Sequence, residues 1–283
     1  MNLSDRKSVT EILKEMNFSF KKSLGQNFLT DGTVCPKMAE AAADENTGVI
    51  EIGPGAGVLT RELSLKAKKV VSIEIDERLR PVLDKTLAGF DNVKVIFADV
   101  MKTDLSALIK EEFSDCKRVT VCANLPYYIT SPVIMGLLES RLPIESITVM
   151  VQKEAAIRLC ADVGTRDAGA VTAAVRFYAE PEILFHVPKE CFMPSPKVDS
   201  AVIQLNILKE PPISVKSEEF FFKIIKACFA QRRKTLLNTL SNTMGIDKSL
   251  IKKAVSEMGL AESVRGETLN LTQLAELSDK LNI

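Results

Sequence analysis

Asn124-Leu125-Pro126-Tyr127 follows an apolar run, Val119 to Ala123, whose composition predicts a buried strand that Pro126 stops. Groups placed after such a strand stand at its carboxyl end, where ligands bind in an open α/β sheet. Asn124 offers a carboxamide oxygen, the carbonyls of Leu125 and Pro126 follow it, and Tyr127 adds a flat face. Together they can grip a planar base by its exocyclic amine. Such an amine is a poor nucleophile because its lone pair is delocalised into the ring. Hydrogen bonds from it to the Asn124 oxygen and to a backbone carbonyl, at Leu125 or Pro126, favour a more tetrahedral nitrogen with a localised lone pair. An in-line displacement then needs mainly alignment, with the reacting atoms ~3–3.5 Å apart. No general base is required before attack. Phe192, beside a proline turn, reads equally well as core packing or as a second wall for the base. Tyr128 is expected to pack inward.

The elements that position these groups can be read upstream. Val49–Ile52 predicts a strand, Gly53-Pro54-Gly55-Ala56-Gly57 a turn, and Val58–Ala67 a helix, the opening unit of a nucleotide-binding fold. The spacing is G-x-G-x-G, because Val58 occupies the place of the last glycine in the dinucleotide fingerprint. Glycines there let a ligand lie against bare backbone. A second strand, Val70–Ile75, brings Glu74 to 21 residues beyond Gly53, placed to accept ribose hydroxyls. A third, Val93–Ala98, is followed by Asp99 and Val100, and the Asp99 carboxylate can accept from an adenine amine. Gly53, Glu74, Asp99 and Asn124 thus end four successive strands and line one crevice of an α/β sheet.

The last strand, Ala201–Ile207, is punctuated by Glu210-Pro211-Pro212, which predicts a boundary between residues 1–208 and a helical domain at 209–283. Helices are expected at 218–228, 232–242, 248–258 and 271–281. Arg232-Arg233-Lys234 is a candidate phosphate contact. Residues 5–16 predict a short amphipathic helix ahead of the basic stretch Lys21-Lys22.

Composition excludes several classes. Lys+Arg and Asp+Glu balance at 37 each, with a basic excess at both ends around an acidic centre, which permits an RNA partner without requiring one. The six cysteines are scattered with no C-x-x-C pair, so neither a zinc site, any other metal site, nor a disulfide framework is expected. The single histidine, His186, sits beside Phe185 and Val187 and is read as structural rather than catalytic. No apolar run approaches the ~20 residues of a membrane span. The expectation is a cytoplasmic monomer with no membrane attachment.

The strand-end pattern resembles that of class I S-adenosylmethionine-dependent methyltransferases. The Asn-Leu-Pro-Tyr form, with Gln26-Asn27-Phe28-Leu29, narrows the resemblance to ribosomal RNA adenine dimethyltransferases of the KsgA type. Met150–Ala156, Phe192–Val202 and Phe229–Leu236 are similar to later motifs of that family. The resemblance implies a Rossmann-like, mostly parallel seven-stranded sheet with a small C-terminal all-α domain. It implies S-adenosylmethionine bound by Gln26, Asn27, Leu29, Gly53, Gly55, Glu74, Asp99, Val100 and Asn124. The target base would lie against Asn124, Leu125, Pro126, Tyr127 and Phe192. The implied reaction is N6-dimethylation of adjacent adenines near the 3′ end of 16S ribosomal RNA in the small subunit, with Arg232, Arg233 and Lys234 on RNA. The other readings are a large-subunit methylase of the resistance type and a non-catalytic assembly factor. One departure stands out: Ala168 occupies a position where the family usually carries an aromatic.

Overall fold

A computed structural model describes residues 28–29 and 31–282 of the chain; the expected helix over 5–16 and the candidate residues Gln26 and Asn27 lie outside the described residues. Seven strands build one sheet: β1 Thr47–Ile52, β2 Lys69–Glu74, β3 Val93–Phe97, β4 Arg118–Asn124, β5 Ser146–Gln152, β6 Ala179–Val187 and β7 Ser200–Ile207. Their spatial order is β3-β2-β1-β4-β5-β7-β6. β1 pairs in parallel with both β2 and β4, so the order reverses between β1 and β4. β7 runs antiparallel to its neighbour β5, with Val202 opposite Met150. The expected mostly parallel seven-stranded sheet is what forms.

Parallel strands covered on both faces need continuous apolar runs. Every residue of β1 is buried, and β5 is buried up to its last residue. Helices α1 Val34–Ala42 and α2 Val58–Ser64 supply Cys35, Met38, Leu59 and Leu63 to the cluster that holds Val49 and Val70. Three further helices follow in this part of the chain: α3 Arg80–Thr86, α4 Leu105–Glu112 and α5 Thr130–Glu139. Asp104 caps α4 by accepting the Ala107 N–H at 2.9 Å.

The chain divides into two compact units. One holds the residues through Ala156 together with Glu182–Ile207, and the other holds Ile157–Pro181 and the residues from Leu208 on. The chain thus crosses between the units three times, and only the crossing between Ile207 and Leu208 lies beside the boundary that the prolines predict. The other two arise because Ala173 and Phe177 of helix α7 (Ala170–Tyr178, preceded by α6 Lys153–Cys160) bury in the helical core of the second unit. That core gathers Phe221, Ile224, Leu236, Leu240, Ile251 and Leu274 from α8 Glu218–Ala230, α9 Leu236–Met244, α10 Lys248–Glu257 and α11 Leu271–Leu281. The Phe177 and Phe221 rings meet at 5.4 Å. Residues 232–235, expected inside a helix, form the turn before α9 instead. The reason is local: Thr235 caps that helix through the Asn238 N–H. No helix among the described residues is long and apolar enough to cross a membrane.

Glu51, next to the last residue of β1, is fully buried and accepts the Ser72 hydroxyl of β2 at 2.6 Å. Burial pushes its carboxyl up to about 7, against the pull of that hydrogen bond. A raised acid contributes stability in its protonated form that is lost as pH rises from the ordinary glutamate range through the raised value. Glu51→Gln should therefore gain stability over the parent across that window and hold a constant advantage above it. Thermal unfolding at a series of pH values would measure this, and a difference independent of pH would refute it. In the second unit, Phe221→Ala should cost about 3–5 kcal/mol of stability by denaturant titration.

Candidate active site

At the carboxyl ends of β1, β2, β3 and β4 opens a cavity of about 320 Å³, to which Gly53, Glu74, Asp99 and Asn124 each contribute. β1 ends where the Gly53 N–H donates to the Ile73 carbonyl at 2.9 Å. The chain then turns through positive φ at Gly53 (73°), Gly55 (59°) and Gly57 (83°), which L side chains rarely adopt. A Cβ at Gly53 would meet nothing within 4 Å, so its Cα presents bare backbone on the cavity wall. A Cβ at Gly57 would come within 2.9 Å of the Thr86 hydroxyl, so that glycine serves close packing against α3. The two glycines thus do different jobs.

Glu74 is 5% exposed, and each of its oxygens accepts one backbone N–H, Oε1 from Asp76 at 2.9 Å and Oε2 from Gly55 at 3.2 Å. Burial raises its carboxyl above the ordinary glutamate range, and these N–H groups oppose the rise. A carboxylate has about four acceptor directions, so two remain for a ligand. Asp99 caps the short turn Val100–Lys102 by accepting the Met101 N–H at 3.0 Å, and Lys102 Nζ stands 3.8 Å from its other oxygen. Val100 lines the cavity next to it.

The turn after β4 is tied at one atom. The Pro126 carbonyl accepts the Ile129 N–H at 3.1 Å and the Thr130 hydroxyl at 3.2 Å, which occupies both lone pairs. Of the two carbonyls open to the amine on sequence grounds, Leu125 is therefore the one left. Asn124 is half-buried on the cavity wall, and no hydrogen bond engages its carboxamide among the described residues. The Tyr127 hydroxyl lies 3.0 Å from Ser200 Oγ on β7, which fixes the ring from behind; burial raises that phenol. Phe192 is both things the spacing allowed. It is 2% exposed within the core cluster and also lines the cavity, its backbone paired with Leu29 in a short antiparallel ladder.

Tyr128 contradicts expectation: it is 59% exposed at the cavity edge instead of packed inward. Consecutive side chains diverge in this turn, and Tyr127 holds the inner place through Ser200. His186 is exposed on β6 and does not line the cavity. The cysteines are free, and no cluster of metal-ligating side chains occurs among the described residues. Cys35 and Met38 of α1, and Ile75 and Met101 just after the two acids, also line the cavity and were not singled out from sequence. The only signal for the latter pair was apolar side chains at positions that follow polar strand ends.

In the second unit the three basic residues separate in role. Arg232 forms an ion pair with Glu267 and donates to the Arg166 carbonyl at 2.7 Å. Arg233 and Lys234 are exposed and carry no ion pair among the described residues. Ala168, where the family pattern has an aromatic, is wholly buried.

The comparisons with known proteins agree with this geometry. The family model described as ribosomal RNA adenine dimethylase matches residues 17–279. Over 275 residues the chain is 51% identical to ribosomal RNA small subunit methyltransferase A of Geobacillus thermodenitrificans, covering 96% of this chain and 94% of that protein. The protein of the same name from Bacillus licheniformis is 50% identical with the same coverage. Among solved structures, a dimethyladenosine transferase from Plasmodium falciparum aligns with a TM-score of 0.72 at 26% identity, over 88% of this chain and 95% of that one. The 23S rRNA methyltransferase ErmE aligns with a TM-score of 0.68 at 28% identity, over 90% of this chain and all of that one. The match runs through both compact units and every strand that lines the cavity, and the chain belongs to the ribosomal RNA adenine dimethylase family.

Proposed function

We propose that this protein transfers methyl groups from S-adenosylmethionine to N6 of adjacent adenines near the 3′ end of 16S ribosomal RNA in the small subunit, forming dimethyladenosine. The observation that carries this reading is the Asn124 carboxamide, unengaged in a cavity wall that Leu125 and the anchored Tyr127 also line. The amine of a flipped adenine donates to Asn124 Oδ1 and to the Leu125 carbonyl, while Tyr127 and Phe192 face its two sides. Extrusion of the base is the general requirement for chemistry at its edge. The 51% identity with small-subunit enzymes, against 28% with a large-subunit enzyme, supports the small-subunit substrate.

The cavity fits the cofactor by its donor set. Gly53 offers bare backbone, the two free acceptor directions of Glu74 suit the ribose hydroxyls, and Asp99 suits the adenine amine. Leu29 and Val100 supply apolar wall on either side. When bound, S-adenosylmethionine supplies the electrophilic methyl group. The residues of this chain align the amine, localise its lone pair and keep the reacting atoms out of bulk water. Once the nitrogen is alkylated its proton becomes acidic and leaves to solvent, so the lack of a histidine at the cavity is consistent with the chemistry. In the second unit, Arg233 and Lys234 are the free cations for RNA phosphates, and Arg232 positions the turn that carries them.

Asn124→Ala should lower methyl transfer by about a hundredfold or more, the usual cost of removing one preorganised polar partner. It should leave binding to small subunits intact. Labelled S-adenosylmethionine, subunits lacking the dimethyladenosines and nucleoside mass analysis measure both. Parent protein that binds the particle and transfers nothing would leave a non-catalytic assembly factor. Glu74→Gln should weaken S-adenosylmethionine binding by about 1.5–3 kcal/mol per charge-assisted hydrogen bond lost. Because the Glu74 carboxyl is raised and must be ionised to accept two hydroxyls, the parent's affinity should fall with acidification at a pH above the ordinary glutamate range. Calorimetric titration of the two proteins from neutral to acid pH should show that fall in the parent only.

A further inference from the structure

Tyr128 is 59% exposed, and among the large apolar side chains exposed in the described residues it is the only aromatic. A single exposed tyrosine is ordinary on a protein surface. This one lies on the edge of the cavity, directly after the residue that faces the target base. Its backbone is also held more firmly than surface turns usually are. Pro126 fixes its own φ, the Pro126 carbonyl takes hydrogen bonds from Ile129 and Thr130, and the preceding ring is pinned at 3.0 Å to Ser200. The ring of Tyr128 therefore projects from a fixed support, and little backbone freedom has to be lost when something stacks on it.

We infer that Tyr128 is a stacking surface for the nucleobase next to the one in the cavity, and that it makes the enzyme select an unstacked base at that neighbouring position. This rests on the proposed adenine methylation. Consecutive side chains point apart at this turn, Tyr127 into the cavity and Tyr128 out of it. A strand whose one base lies against Tyr127 has its next base at the rim, where Tyr128 offers a free face. Unpaired RNA bases are held in this way on aromatic rings, and stacking tolerates any base because each has a π-face. A bound strand has one polarity, so Tyr128 takes the neighbour on one side only, and with adjacent adenines as substrate one of them is that neighbour of the other.

The test compares the parent with Tyr128→Ala and Tyr128→Phe on small subunits reconstituted with 16S RNA. One substrate is intact, and the other carries an abasic nucleotide in place of one target adenine, so that only the remaining adenine is scored. On the intact particle Tyr128→Ala should lose roughly tenfold to a hundredfold in kcat/KM, mainly through KM, and Tyr128→Phe should restore it. The abasic particle should cost the parent a similar factor and cost Tyr128→Ala little more. An abasic penalty of equal size in both proteins overturns the inference, as does loss of S-adenosylmethionine binding in Tyr128→Ala by calorimetry, which would assign the ring to the cofactor instead. Failure of the parent to methylate the intact particle would be a separate result, which removes the proposed function and this inference with it.

Discussion

The bonds between the Glu74 carboxylate and the N–H groups of Gly55 and Asp76 join the glycine turn to the end of β2, and the site depends on that join. A carboxylate that is 5% exposed is costly unless its oxygens are engaged, and the turn supplies one donor, Gly55, while Asp76 just past the end of β2 supplies the other. The turn takes the path that brings the Gly55 N–H there through three positions of positive φ, all of them glycine. Substituting any member leaves either a strained backbone or a buried charge without partners. Binding capacity and local stability are therefore coupled here, because the same carboxylate lines the cavity.

The same economy governs the other side of the cavity. One carbonyl, that of Pro126, closes the turn and starts α5, and by doing so it leaves its neighbour at Leu125 for other use. Ser200 on β7 reaches across β5 to hold the Tyr127 phenol. β7 is the strand that runs antiparallel to β5, so the residue that opens it stands at the same sheet edge as the carboxyl ends of the parallel strands. An antiparallel insertion in a parallel sheet thus delivers a hydroxyl where a parallel strand would deliver its last residue.

The second unit is organised by aromatic packing. Phe177, Tyr178, Phe221 and Phe222 form a group with ring centroids 5.0–5.6 Å apart. That group draws residues 157–181 into a core otherwise made by the C-terminal helices. Ala168 belongs to the same unit and is wholly buried.

Local chemistry determined what was legible in the chain alone. Apolar runs set the parallel strands, Pro126 and the glycines set where they stop, and strand direction put Gly53, Glu74, Asp99 and Asn124 at one edge. Those are constraints that act over a few residues, and pattern suffices to see them. Tertiary structure decided the rest. It chose Leu125 over Pro126 as the available carbonyl, turned Tyr128 outward, made Phe192 both core and wall, and moved Arg232 into an ion pair with Glu267. It also placed Phe177 with helices more than forty residues further along the chain. The Pro126 carbonyl is taken by groups three and four residues on, while the other outcomes turn on a partner distant in sequence, such as Ser200 for Tyr127 or Phe221 for Phe177. Spacing within a motif carries no information about which distant group will occupy a lone pair or fill a hole.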